Sequence, residues 1–453
     1  MKIVIVGNGK VGRAILEELS REGHDIIVID SDGEVLQQST EQFDVIGIQG
    51  NGASLPMQRE AEVESADLLI ATTSSDEINI LACILARRLG AKHTIARVSN
   101  PEYTEQLGLL QAELGLSMTV NPDRTAANEA FNVLQFPTFL RRDKFAKGRV
   151  EIVELRVDEH SRLINVPLRR MYETLEAQVL VCAVERRGEA FIPNGNFVLK
   201  ENDKIHVTAD SNHLVALVRN LGLEYNKIRS TMIIGGGRIS YYLARQLLAI
   251  GVSVKIIERN HERCLLLAER LPQATIIEGD ANGQRILLEE GIREVDALVT
   301  FTDMDEVNVF LSLFGAHVKV PKIITKISRT EYTDVISDMG IESFISPKLL
   351  SATEIVRYVR AMTNNTVGGA VIAMHDLVPG KVEALEFLAT RQTKHLNMPL
   401  QTAHIKKGIL VACIMRNNRT IIPRGSDSIH VNDTVIVVTS NDDIVVSLND
   451  IYE

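Results

Sequence analysis

KIVIVGNGKVG, the sequence of residues 2–12, is an apolar, β-branched run that ends in a G-x-G-x-x-G pattern beginning at Gly7. A strand that leads through such a turn into a helix is typical of an α/β unit that binds a dinucleotide. The stretch returns as STMIIGGGRIS at residues 230–240, where Gly235 stands 228 residues after Gly7. The chain therefore contains this unit twice.

Other short sequences keep nearly the same spacing between the two halves. Residues 76–79 (DEIN) return 229 residues later as DEVN, and residues 192–195 (IPNG) return 230 residues later as IPRG. The repeat thus covers two kinds of module, in the order A–B–A′–B′. We expect these modules at residues 1–138, 139–226, 227–362 and 363–453.

The A units alternate short β-branched runs with helical patterns, which predicts tandem Rossmann-like, doubly wound parallel sheets. Each A unit is expected to end in a helix that starts at a proline, after a capping Asn121 or Ser346. In the B units, runs such as 178–184 and 204–208 surround a turn and predict a small α+β module. In the first A unit we expect strands at residues 2–6, 25–29, 45–49, 67–72 and 93–98.

The glycines of the first copy suit a phosphate-binding loop. Gly7 permits the tight turn, Gly9 lets the backbone approach a pyrophosphate, and Gly12 lets helix and strand pack closely. The free amides of the helix would then face the phosphates. Asp30 ends the second strand, where a carboxylate can accept both hydroxyls of an adenosine ribose and repel a 2′-phosphate. This favours NAD(H) over NADP(H), although ATP and ADP present the same ribose and phosphates.

Polar residues near the ends of later strands are candidates for the same site. Thr73 and Ser74 follow the fourth strand and either line the cleft or cap the next helix, a role that Ser75 can also take. Arg97 ends the fifth strand and can reach phosphates or form a surface salt bridge. Lys10, inside the loop, is placed for phosphate contact or for solvent.

The second copy has lost part of this pattern. Ser240 replaces the third glycine, so helix and strand are expected to sit slightly further apart. Glu258 keeps the acid with a longer reach, Arg259 follows it, and Lys326 stands where the first copy has Arg97. We expect a nucleotide here too, bound more weakly or of a different kind.

Composition narrows the function further. The formal charge of −10, with 4% aromatic residues and no Trp, argues against nucleic-acid binding, which requires a basic surface. Four scattered cysteines predict buried thiols rather than disulfides or zinc ligands. No apolar stretch is long enough to span a bilayer and no signal peptide is evident, so we expect a soluble protein. Metal-binding and hydrolase motifs are missing, which predicts binding without catalysis.

The combination resembles the RCK (regulator of K⁺ conductance, or KTN) family over the whole chain. The resemblance rests on GNGKVG, IIVID, ATTSSDEIN and ARVSNPEY in the first half, on IIGGGRIS, KIIERN and EGDA in the second, and on the IPNG and IPRG turns. It implies NAD(H), or ADP or ATP, at the two glycine-rich loops. In the first copy the implied ligand-binding residues are Gly7, Asn8, Gly9, Lys10, Val11, Gly12, Asp30, Asn51, Thr73, Ser74 and Arg97. In the second copy they are Gly235, Gly236, Gly237, Arg238, Ile239, Glu258, Asp280 and Thr302.

One departure and several wider implications follow from the resemblance. The first copy has Asn51 where the family often has Asp, which the second copy keeps as Asp280. The resemblance implies a cytoplasmic homo-oligomer, a dimer or a tetrameric ring, at the inner face of the membrane beneath a potassium-translocating subunit. The leading hypothesis is therefore a non-catalytic nucleotide sensor. The rival is an NAD-dependent oxidoreductase with its substrate between the A and B units, which would place a His, Lys or Tyr at the nicotinamide.

Overall fold

The computed structural model describes most of the chain. The described residues are all of 1–453 except 104–105, 107–110, 112, 136–138, 147–148, 158–160, 172–178, 210–216, 218–226, 330–332, 342, 364–370, 379, 418 and 441–444. No helix in the described part is long and apolar enough to cross a membrane. The four cysteines are buried and free, as predicted.

Unit A is a six-stranded parallel sheet with helices on both faces. Its strands pair in the order β3-β2-β1-β4-β5-β6, so the chain reverses direction beside β1, where a dinucleotide fold has its crevice. The strands β1–β6 are Lys2–Val6, Asp25–Asp30, Ile46–Gln49, Leu68–Ala71, His93–Arg97 and Met118–Val120. The helices α1–α5 are Lys10–Arg21, Gly33–Gln42, Leu55–Glu60, Asp76–Leu89 and Pro122–Gln135.

Unit B is a five-stranded antiparallel sheet with the order β10-β9-β11-β8-β7. Its strands β7–β11 are Arg141–Phe145, Val150–Arg156, Leu180–Arg186, Glu189–Phe191 and Lys204–Ala209. A short 3-10 helix covers Leu168–Arg170. The predicted strand start at residue 178 lies outside the described residues.

Unit A′ repeats the parallel sheet in the order β14-β13-β12-β15-β16-β17. Its strands β12–β17 are Ser230–Ile234, Ser253–Glu258, Thr275–Glu278, Ala297–Thr300, Lys322–Lys326 and Phe344–Ile345. Its helices α6–α11 are Arg238–Ala249, His261–Arg270, Gln284–Glu289, Asp305–His317, Thr333–Asp338 and Pro347–Thr363.

Unit B′ has the same strand arrangement as B, in the order β18-β19-β22-β20-β21. Its strands β18–β22 are Val371–Val378, Val382–Leu388, Ile409–Arg416, Arg419–Ile421 and Thr434–Ser440. The B and B′ sheets share an apolar core that includes Ile152, Cys182, Ala384, Cys413 and Ile436. The fold class is therefore the predicted one, with four modules in the order A–B–A′–B′.

The two A units exchange their last helices. Helix α5, from unit A, packs on α6 and places Ala126, Ala130 and Val133 in the core of unit A′. Helix α11, from unit A′, packs on α1 and places Ile355 and Val359 in the core of unit A. Each unit therefore completes the core of the other. A change in the relative position of the two A units must also move these helices.

The starts of these two helices only partly match the prediction. Asn121 caps α5, because its Oδ1 accepts a hydrogen bond from the Arg124 amide at 2.9 Å. The hydroxyl of Ser346 is buried and has no hydrogen-bond partner in the described part of the chain, so its predicted capping role is wrong. Strand β6 was not predicted, because three residues at a sheet edge give too short a pattern. The predicted unit boundaries stay predictions, and residues 138 and 226 lie outside the described residues.

Glu154 on β8 gives unit B an expected pH dependence. Burial raises the pKa of this carboxyl to about 7, and Lys204 and Arg141 only partly oppose the shift. An acid whose pKa is higher in the folded state loses its stabilising effect as pH rises from its ordinary value through the folded value. We therefore expect Glu154→Gln to raise the free energy of unfolding by about 1–3 kcal/mol near pH 8 and to have little effect near pH 5. Denaturation at both pH values tests this, with exposed Glu201→Gln as the control. An equal effect of Glu154→Gln at both values would contradict it.

Candidate nucleotide-binding sites

The first glycine-rich loop is held at the end of β1 by backbone geometry that requires glycine. Gly7 has φ of +89°, and its amide donates to the Ile29 carbonyl at 2.8 Å. A Cβ on Gly12 would lie 2.0 Å from the Gly7 carbonyl oxygen. Gly9 instead faces open space and precedes α1, whose first turn has no side-chain cap. The loop therefore leaves helix amides free above an open surface, as an anion site needs.

Asp30 lies beside this loop and helps to hold it. Its Oδ2 accepts the Asn8 amide at 2.5 Å, and its Oδ1 accepts the Asp32 amide at 2.9 Å. A carboxylate oxygen can accept more than one hydrogen bond, so both oxygens retain capacity for ribose hydroxyls. Asp30 can thus position the loop and bind a diol together.

Asn8 contributes to the loop through its backbone. Its side chain is buried and donates to Ser39 Oγ at 2.6 Å, away from the open surface. Gly12 is likewise buried against Gly7, where its lack of a side chain permits packing. Neither residue lines the cavity described below, and their part in ligand binding remains a prediction.

For the residues after β4 the sequence left two roles open, lining the cleft and capping the next helix. The structure assigns these roles to different residues. Ser75 caps α4, since its Oγ accepts the Ile78 amide at 3.2 Å, whereas Ser74 lines the cavity. Thr73 also lines the cavity, and its hydroxyl donates to Asn79 Oδ1 at 2.7 Å. The neighbouring Arg97 donates to the Thr73 carbonyl through Nη1 at 3.2 Å. The Nε of Arg97 is buried and has no hydrogen-bond partner within the described residues.

We call the space around this loop the first cavity, and it has a volume of about 740 Å³. From the predicted residues of the first copy it is lined by Gly7, Gly9, Lys10, Val11, Asp30, Asn51, Thr73, Ser74 and Arg97. Unit A′ supplies a further part of the wall, which was not predicted from the sequence. These residues are Ile239, Lys326, Ser328, Pro347 and Lys348. The first cavity therefore lies between the two A units.

The second cavity surrounds the glycine-rich loop of unit A′ and has a volume of about 210 Å³. From the predicted residues it is lined by Gly235, Gly236, Gly237, Glu258, Asp280 and Thr302. Ile239 and Arg238 do not belong to its described walls. Ile239 faces the first cavity, and Arg238 extends toward Asp123 at the start of α5, at 3.9 Å. Arg259 and Arg263 add two guanidinium groups beside Glu258.

The lost glycine of the second copy is compensated at the end of β15. In unit A the Thr72 hydroxyl donates to the Gly7 carbonyl at 2.8 Å. In unit A′ this threonine is replaced by Phe301, and the hydroxyl of Ser240 donates to the equivalent carbonyl, that of Gly235. The same carbonyl is therefore satisfied from the helix instead of from the strand.

The change from Asp to Glu is compensated in a similar way. Glu258 accepts the Gly236 amide at 2.6 Å and the Asn260 amide at 2.7 Å, which reproduces the two contacts of Asp30. A Cβ on Gly236 would lie 2.6 Å from Leu267 Cδ1 and 3.0 Å from Glu258 Cβ and Cγ, so glycine leaves room here for both side chains, where unit A has Asn8. Both acids are therefore anchored alike. The second loop is altered but ordered in the same way as the first.

Asn51 and Asp280 have equivalent positions despite their different charge. Asn51 Oδ1 accepts the Ala53 amide and Asp280 Oδ1 accepts the Asn282 amide, each at 3.0 Å. Both residues therefore hold the turn after the third strand of their sheet. Each also lines its cavity, so the first cavity has a neutral amide where the second has a carboxylate.

The fold and the two cavities define a class, the tandem Rossmann-like proteins that carry a candidate nucleotide site at the end of β1 and at the end of β12. The TrkA-N domain matches residues 3–122 and 231–347, together more than half of the chain, and the TrkA-C domain matches residues 152–222. The chain belongs to the TrkA family of Trk-system potassium-uptake proteins.

Similar proteins extend over nearly the whole chain. The Trk system potassium uptake protein TrkA homolog 2 of Methanosarcina mazei is 31% identical and covers 96% of this chain and 97% of its own length. The TrkA homolog of Archaeoglobus fulgidus is 30% identical, with 98% of each chain covered. Among solved structures, the GsuK channel bound to NAD has a TM-score of 0.64 at 20% identity, covering 97% of this chain and 77% of that one. This last similarity shows a shared fold.

Proposed function

We propose that this chain is a nucleotide-sensing regulatory subunit of a potassium-uptake system. It would act at the cytoplasmic face of the membrane and control a TrkH-like, potassium-translocating partner. Membership of the TrkA family supports the link to potassium uptake. The two cavities support nucleotide sensing, and the fold is that of the NAD-bound GsuK channel.

One observation carries this proposal, namely that both A units form the wall of the first cavity. A ligand on the Gly7 loop would also contact Lys326 and Lys348 from unit A′. Its binding energy would then depend on the distance and angle between the two A units. The exchanged helices α5 and α11 would move together with any change in that distance or angle. A ligand can shift a conformational equilibrium only through such differential contacts, typically by about 1–3 kcal/mol.

The sizes of the cavities favour different ligands. About 740 Å³ is within the range of small-molecule sites and leaves room for NAD(H) along Asp30, the Gly7 loop and the cleft between the units. The second cavity is smaller, at about 210 Å³, so we propose that it holds a shorter adenine nucleotide such as ADP or ATP and not NAD(H). Glu258 would bind its ribose, and Arg259 or Arg263 would pack on the adenine through the flat guanidinium group.

We infer that the chain assembles with copies of itself through apolar faces on equivalent helices of the A units. Ile78 and Leu81 are exposed on α4, and Phe310 is 72% exposed on α9. Val335 and Met339, at 61% and 56%, are exposed at α10 and just beyond it. Large exposed apolar side chains are expected at interfaces, and two interfaces on one chain can close a ring.

Phe310→Asp is therefore expected to convert the assembled protein into a smaller species, because it places a charge in the apolar contact. Sedimentation velocity or light scattering measures the mass. Leu265→Asp is a matched control, since Leu265 is 60% exposed on α7, outside these faces. An unchanged mass for the Phe310 variant would refute this interface.

The proposed function is tested by potassium flux into vesicles that contain the translocating subunit with this protein bound. Addition of NADH, NAD, ADP or ATP is expected to change the flux, and at least two of these nucleotides are expected to act differently. Flux that ignores all four would refute the proposal.

The rival hypothesis, an NAD-dependent oxidoreductase, finds weaker support in the first cavity. No His or Tyr belongs to its described wall, and of its three lysines Lys10 belongs to the glycine-rich loop, where phosphates are expected. We therefore propose binding without turnover. Steady consumption of NADH with a small metabolite would support the rival instead.

A further inference from the structure

Lys326 stands where the two cavities meet. It ends β16 and lines the first cavity, and its side chain is only 13% exposed. Its Nζ lies 3.8 Å from Oδ1 of Asp303, which lines the second cavity. One ion pair therefore has its cation in one cavity wall and its anion in the other.

The ammonium group of Lys326 is buried among charged groups that change its pKa. Burial lowers its pKa, and the positive charge of Lys10 in the first glycine-rich loop acts in the same direction. Asp303 gives the largest opposing effect, followed by Asp123 and Asp305. The ammonium is therefore influenced by charged groups of both A units, Lys10 and Asp123 from unit A and Asp303 and Asp305 from unit A′. Its partner Asp303 is 90% exposed, so the pair is weak enough to be exchanged.

We propose that Lys326 couples the two nucleotide sites by exchanging Asp303 for a ligand phosphate. When a phosphate-bearing ligand fills the first cavity, Lys326 turns to that phosphate, and Asp303 is left as an unpaired carboxylate at the second cavity. The freed negative charge then lowers the affinity of the second cavity for an anionic nucleotide. By linkage, the second ligand weakens the first by the same factor.

The first copy has no ion pair equivalent to that between Lys326 and Asp303. The residue equivalent to Lys326 is Arg97, which is bound to the Thr73 carbonyl, and the residue equivalent to Asp303 is the uncharged Ser74. The first copy therefore has no equivalent ion pair that could form a second link between the cavities. The difference between the repeats makes the communication depend on a single pair.

This inference rests on the proposed function in that both cavities must bind nucleotides, and calorimetry separates the two questions. ADP is titrated into Asp30→Ala, whose first cavity is silenced, and into wild type saturated with NADH. We expect ADP to bind the second cavity about three- to fivefold more weakly when NADH occupies the first, the size of an exposed ion pair. Asp303→Asn, tested alone and with Asp30→Ala, is expected to abolish this difference. Asp280→Asn, which also removes an acid from the second cavity wall, is expected to change ADP affinity but keep the ratio.

The outcomes are distinct. Equal ADP affinity with and without NADH would overturn the coupling and leave the proposed function standing. A difference that persists in Asp303→Asn would overturn the role of the Lys326–Asp303 pair. Absence of any nucleotide binding would overturn the proposed function itself.

Discussion

Replacement of Asp30 by alanine is expected to weaken NADH binding at the first cavity by roughly 100- to 10,000-fold. Two hydrogen bonds from ribose hydroxyls to the carboxylate would be lost, each worth about 1.5–3 kcal/mol when the acceptor is charged. The Asn8 and Asp32 amides would also lose their acceptor, so the glycine-rich loop would be less well positioned. Calorimetry or NADH fluorescence measures the change in affinity.

Two further variants separate the ribose contact from the loop contact. Asp30→Asn keeps one acceptor oxygen and the shape of the side chain but removes the charge, so an intermediate loss is expected. Glu258→Ala disturbs the other unit in the equivalent way and is expected to change NADH affinity at the first cavity by less than about fivefold, through coupling between the sites. Wild-type affinity in Asp30→Ala would show that the ribose is bound elsewhere.

The glycine-rich loops and the parallel sheets could be predicted because they are local. A β-branched run, a glycine turn and an acid at the next strand end are specified by neighbouring residues, and β1 is Lys2–Val6 as predicted. The repeat then supplied an independent second copy of the pattern. Short edge strands such as β6 could not be found this way, because their pairing comes from the adjacent strand.

The composite first cavity could not be predicted, because it depends on contacts between distant parts of the chain. Ile239 and Lys326 carry the pattern of the second site, and the sequence assigned them to it. The exchange of α5 and α11 brings both residues to the first cavity instead. No local sequence pattern indicates which of two equivalent helices will pack on a given unit.

Some of the missed chemistry does have a sequence signal when the two repeats are compared position by position. Gly12 and Thr72 of the first copy become Ser240 and Phe301 in the second, so a hydroxyl disappears from one position as it appears at the other. Such a reciprocal change indicates that the two positions serve one contact. The structure identifies that contact as the hydrogen bond to the first loop carbonyl.

This reciprocal change of residues predicts that Gly12→Ser strongly destabilises the protein on its own. The same substitution is expected to destabilise the protein less when it is combined with Thr72→Ala. The new Cβ would lie 2.0 Å from the Gly7 carbonyl oxygen and 2.9 Å from Thr72 Oγ1, so the loop must shift, at a cost of about 3 kcal/mol. Thr72→Ala alone removes a 2.8 Å hydrogen bond and is expected to cost about 1 kcal/mol.

In the double variant the serine hydroxyl can take over the Gly7 carbonyl, as Ser240 does for Gly235, and the clash with Thr72 is gone. The double variant is therefore expected to be about 1–2 kcal/mol more stable than the sum of the two single changes in the free energy of unfolding would give. Urea denaturation in a double-mutant cycle measures this difference. Thr208→Ala, a buried change in unit B, is the control and is expected to add independently to Gly12→Ser. Strict additivity of Gly12→Ser and Thr72→Ala would show that the two repeats solved the same turn by unrelated adjustments, because only a shared contact can make one substitution depend on the other.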